Sequence, residues 1–211
     1  MACHDHHCTV SESPHGSYRQ VLWAALAINA AMFIVEIIYG VRAHSSSLLA
    51  DSLDFLGDAA NYGMSLWVLG MTITARAKAS LVKAATMALF GVWVLGDALG
   101  SLMSTTVPEA STMGLIGILA LAANVAVALM LYVWRHGDSN MRSVWLCSRN
   151  DALGNIAVML AALGVFGTQS AWPDVIVAVI MASLALSAAY QIMQQARSEL
   201  SVGKTEAVHE P

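Results

Sequence analysis

Charge is what this sequence has least of. Asp, Glu, Lys and Arg make up 11% of its 211 residues, while 57% are hydrophobic. Soluble domains carry roughly 25% charge, so no segment has the length and polarity of a second, soluble domain. The three cysteines, Cys3, Cys8 and Cys147, are too few and too scattered for a disulfide framework. No basic patch or nucleic-acid motif is present, so no nucleic-acid partner is expected. No histidine falls within an apolar run, and no nucleophile–base pair or cofactor motif is found. The expectation is a chain that is not an enzyme and carries no resident cofactor. Its polar start, about 18 residues long, does not read as a cleaved signal peptide.

What is there is six apolar runs, near 20–41, 47–72, 79–104, 113–134, 141–166 and 173–195. A helix crossing a bilayer needs about 20 mostly apolar residues at 1.5 Å each. The sequence therefore predicts an all-α membrane protein with six transmembrane helices. Residues 1–18 form a Cys/His-rich tail, 19–197 the membrane domain, and 198–211 a short second tail. Of the Lys and Arg residues, only Arg42 falls on one side. Arg19, Arg76, Lys78, Lys83, Arg135, Arg142, Arg149, Arg197 and Lys204 fall on the other. Positive charge marks the cytoplasmic side, so both termini are expected there.

Two runs carry acids where lipid opposes them. A carboxylate at the centre of a membrane helix costs about 3 kcal/mol or more. Asp51, Asp54 and Asp58 are spaced i, i+3, i+7 and share one helix face. In the fifth run Cys147, Asp151 and Asn155 form a stripe at i, i+4, i+8. Asp54/Asp58 lies about 13 Å from the outer end of its helix, and Cys147/Asp151 about 12 Å from the inner end of its own. Two ligands one turn apart on each of two helices close a four-coordinate site. Asp54, Asp58, Cys147 and Asp151 are thus the candidate metal ligands. Asn150, beside the stripe, competes with Cys147, and Asp51 is a further candidate nearer the outer end.

The remaining polar residues carry weaker signals. Asn29 and Asn124 read as hydrogen-bonding groups between helices, while Glu36 and Asp97 suit a proton or water path. Asp174, after Pro173, reads as an acid at the start of its own helix. Lys83 is read only as part of the positive loop. Glycines such as Gly63, Gly91, Gly96, Gly100, Gly114 and Gly117 read as sites of close helix approach. Cys3, His4, His6, His7 and Cys8 cluster in the N-terminal tail and suit borderline and soft metals.

The stretch Ser47-Leu-Leu-Ala-Asp51-Ser-Leu-Asp54-Phe-Leu-Gly-Asp58 resembles the second-helix signature of the cation diffusion facilitators. Cys147-Ser-Arg-Asn-Asp151-Ala-Leu-Gly-Asn155 resembles that family's His-x-x-x-Asp-Ala-Leu-Gly-Ser. Asn29, Glu36, Asn124 and Pro173-Asp174 also fit its pattern. The resemblance implies six helices, homodimers, and export of divalent metal in exchange for protons. Its transport site maps onto Asp54, Asp58, Cys147 and Asp151. Cys147 stands where the family usually has histidine. The family's cytoplasmic metal-binding domain is not expected here, and dimerisation is expected through the membrane helices.

Clustered buried acids compete with a cation for protons, which is the physical basis of metal/proton exchange. The thiol ranks Zn²⁺ and Cd²⁺ first, and the aspartates keep Co²⁺, Ni²⁺, Fe²⁺ and Mn²⁺ in view. The expected partners are divalent metal, protons and the lipid bilayer, and the expected location is a bacterial inner membrane. Two rival readings stand. One is a non-transporting membrane metal sensor or metallochaperone using the tail. The other is a carrier of protons or Na⁺ using the same acids.

Overall fold

The computed structural model describes residues 15–67, 73–104, 106–134 and 139–208. They form six long helices: α1 (His15–Ala43), α2 (Ser46–Trp67), α3 (Ile73–Met103), α4 (Ala110–Leu131), α5 (Ser139–Thr168) and α6 (Trp172–Val208), with a single 3₁₀ turn at Tyr132–Trp134. No strand occurs among the described residues. The protein is an all-α membrane bundle, as the six apolar runs predict.

Five of the helices are long and apolar enough to cross a bilayer. The exception is α2, whose length suffices but which carries Asp51, Asp54 and Asp58. Its place in the bundle explains how this is tolerated. α3 lies along α6, α1 along α2 and α4 along α5, and α2 touches all five other helices. Protein rather than lipid therefore surrounds α2. The outward faces of the other helices are apolar, as at Leu89, Leu115, Leu129, Leu163 and Leu184, as a lipid-facing surface requires.

Consecutive helices alternate in direction, so the bundle has a terminal end, where α1 begins and α6 finishes, and a far end. At the far end Leu48, Leu49 and Leu53 of α2 pack against Val94, Met113, Val158, Val165 and Val175. At the terminal end Tyr18 and Leu22 of α1 pack against Tyr62 and Leu66 of α2 and Val127 and Leu131 of α4. Gly91 and Gly117 do serve close helix approach. A Cβ there would fall 3.0 Å from Leu186 and 3.1 Å from Met159. Gly63, Gly96, Gly100 and Gly114 face open space and do not.

The join between α1 and α2 is tight. His44 turns the chain at φ 52°, a left-handed conformation in which His is among the more tolerated residues. Ser45 then caps α2, its Oγ accepting from the Leu48 amide at 3.2 Å. The Ser46 and Ser47 amides donate to Asp174 at 2.8 and 3.1 Å. The free amides at the start of α2 are thereby satisfied from within the protein.

Candidate metal site

Asp54 and Asp58 on α2 and Asp151 on α5 line one cavity of about 460 Å³. The cavity begins at these carboxylates and runs past Asn61, Met64, Ser80, Lys83 and Gln195 toward the terminal end. Its walls come from α2, α3, α5 and α6. The three aspartates share this cavity because α2 and α5 approach closely at Gly154. A Cβ there would lie 3.8 Å from Asp54 Oδ2 and 3.9 Å from Asp51 Oδ1. Asp151 lines the same cavity as Asp58. Tyr62, one turn along α2, donates to Asp58 Oδ2 at 2.8 Å, and so orients that carboxylate from the side away from Asp54.

Beside this cavity lies a second, fully buried polar chain. Asn124 of α4 donates to Asn155 Oδ1 at 2.9 Å, and Asn155 donates to Asp51 Oδ2 at 2.6 Å. Asn124 thus bonds between helices as its position in the sequence predicts. Glu36 of α1 is fully buried as well. Neither Glu36 oxygen, nor Asp51 Oδ1, receives a hydrogen bond from another group. Asp51 is completely buried, and it does not line the cavity. Asn29 differs from expectation: its amide bonds Ala25 of its own helix at 2.9 Å rather than a neighbouring helix.

Asp97 and Asp174 lie at the far end. Asp97 accepts from Ser46 Oγ at 2.6 Å. Asp174 accepts from the Ser45 and Ser47 hydroxyls and from two backbone amides of α2. It stands at the start of α6 but closes the start of α2, which the local sequence does not reveal.

Cys147, Arg149 and Asn150 belong to α5, but their side chains lie outside the described residues. So do Cys3, His4, His6, His7 and Cys8. Among the described residues no three His, Cys, Asp or Glu side chains converge tightly enough to hold an ion as they stand. Sequence reasoning missed two residues, one behind the site and one lining the cavity. Tyr62 was legible as i+4 from Asp58. Lys83 was assigned to a loop, yet it sits inside α3 and bonds Asn61 across the cavity.

The family model of the cation efflux transmembrane domain matches residues 22–201. The zinc transporters ZitB of Escherichia coli K12 and of Shigella flexneri are each 24% identical to this chain. Each alignment covers 95% of this chain and 68% of the relative. The family match reaches into all six helices of the bundle, so the chain belongs to the cation efflux family of integral membrane transporters and is not an enzyme.

Proposed function

We propose that this chain exports a divalent transition metal, Zn²⁺ or Cd²⁺ before Co²⁺, Ni²⁺, Fe²⁺ or Mn²⁺, in exchange for protons. One observation carries the reading: three carboxylates from two helices share one mid-bundle cavity that extends toward the terminal end. Asp54, Asp58 and Asp151 are the proposed oxygen ligands. Cys147, one turn before Asp151, is the proposed fourth, with Asn150 as its competitor. The similarity to zinc transporters supports the metal class.

Proton coupling follows from charge. Adjacent acids in a low-dielectric bundle hold protons until a cation replaces them, so metal entry expels protons and metal exit recovers them. Alternating access moves helices about the midplane site. The site has to open on one side at a time, and the far end is the one held shut by the Asp174 bonds. The proposal places both termini in the cytoplasm of a bacterial cell and the cavity mouth with them. It includes a homodimer joined through the membrane helices, with residues 1–18 as a metal-collecting tail.

The test is metal-driven proton flux in proteoliposomes, with Zn²⁺, Cd²⁺, Co²⁺, Fe²⁺ and Mn²⁺ in parallel, for the natural chain and Cys147→Ser. Flux with Zn²⁺ and Cd²⁺ that shifts toward Mn²⁺ and Fe²⁺ in the variant supports the thiol ligand. Metal flux without proton movement overturns the exchange.

A further inference from the structure

Lys83 lies six residues inside the apolar stretch Ala77–Met103 of α3, about 9 Å along the helix. A lysine so placed ordinarily snorkels back to the interface. This one reaches across to α2 instead and donates to Asn61 Oδ1. Asn61 is three residues beyond Asp58 on the terminal side, and both residues line the cavity with Lys83. The ammonium therefore shares one space with Asp54, Asp58 and Asp151, between them and the terminal end. Lys78, five residues earlier, is exposed and takes no part in this wall.

We propose that Lys83 is a tethered counter-cation that sets the selectivity and release of the metal site. The inference rests on the reading of this cavity as the metal path. While Cys147 is still a thiol, three ionised aspartates and one ammonium leave a net charge of −2, equal and opposite to one divalent ion. A monovalent ion has to compete with a cation already fixed in the cavity at high effective concentration. A divalent ion gains twice the Coulomb attraction from the same carboxylates and prevails. The price of that filter is weaker divalent binding, because the ammonium repels the metal or has to swing aside. Weaker binding suits a transporter, whose site has to let go. Lys83 is a positioning and specificity residue; it ligates nothing.

The test is equilibrium Cd²⁺ binding to the full chain in nanodiscs, by calorimetry, with Lys83→Gln, Lys83→Met, Lys83→Arg, Lys78→Gln and Asp58→Asn. Both neutral variants should bind Cd²⁺ at least about tenfold more tightly, since a full charge has left a poorly screened cavity. Lys83→Arg and Lys78→Gln should bind as the natural chain does. Raising K⁺ should weaken Cd²⁺ binding more in Lys83→Gln than in the natural chain. In flux assays Lys83→Gln should lower KM and kcat together, which loss of a merely structural bond would not do. Unchanged or weaker binding in folded Lys83→Gln and Lys83→Met, with binding lost in Asp58→Asn, overturns this inference alone. Natural binding in Asp58→Asn overturns the metal path as well.

Discussion

The two ends of α2 hold carboxylates in opposite ways. At the far end Asp174 faces two serine hydroxyls and two backbone amides. Each supplies a proton toward its oxygens, so the acid is satisfied without a cation. Seven and eleven residues along α2 from Ser47, Asp54 and Asp58 face Asp151 across a cavity. Tyr62 donates to Asp58 there, and Lys83 is held nearby on Asn61. Acids rich in neutral donors are structural; acids gathered against one another attract cations. The same residue type thus closes one end of the bundle and, on the proposed reading, prepares the middle for an ion.

That contrast yields effects of several sizes, the largest at Asp174 and the smallest at Asn124. Asp174→Ala removes four hydrogen bonds and strands the amides that begin α2. It should cost about 3 kcal/mol, read as a lowered thermal transition in detergent micelles. Ser47→Ala should cost about 1 kcal/mol in the same melt. A fall as large as for Asp174→Ala would mean that the hydroxyl, not the carboxylate, holds the far end. Gly164→Ala places a Cβ 2.7 Å from Pro173 Cβ, where the α5–α6 turn has no room. Overpacking there should cost about 2 kcal/mol while leaving Cd²⁺ affinity unchanged, and a loss of affinity would join the far end to the site.

At the site itself, Tyr62→Phe deletes the donor that orients Asp58. Metal affinity should fall about tenfold, since groups that orient a metal ligand matter on that scale. Calorimetry with Cd²⁺ checks it. Asn124→Ala breaks one interhelical amide bond and should cost only about 0.6 kcal/mol in the melt. A much larger loss would show that the Asn124–Asn155–Asp51 chain acts as one unit.

Much of this was legible in the sequence, and what escaped did so for a physical reason. Helix count follows from apolar runs, whose length is a local property. The facing of Asp54/Asp58 and Asp151 follows from helical spacing plus matching depth. Asp174 was readable only as an acid at its own helix start, because its partners lie 127 to 129 residues away. Lys83 was counted by the charge asymmetry that sets topology, a rule that counts positions and not the direction of a side chain. Asp51 sits one turn nearer the far end and on the face shared with Asp54 and Asp58. Spacing alone does not separate it from them; Asn155, on another helix, does.

The central claim is that the aspartates of the cavity carry the transported metal. Metal uptake into proteoliposomes by Asp58→Asn tests it most directly, since the substitution keeps the shape and removes the charge. The account predicts that Zn²⁺ and Cd²⁺ flux disappears while the thermal transition stays near that of the natural chain. Undiminished flux from that variant would contradict it.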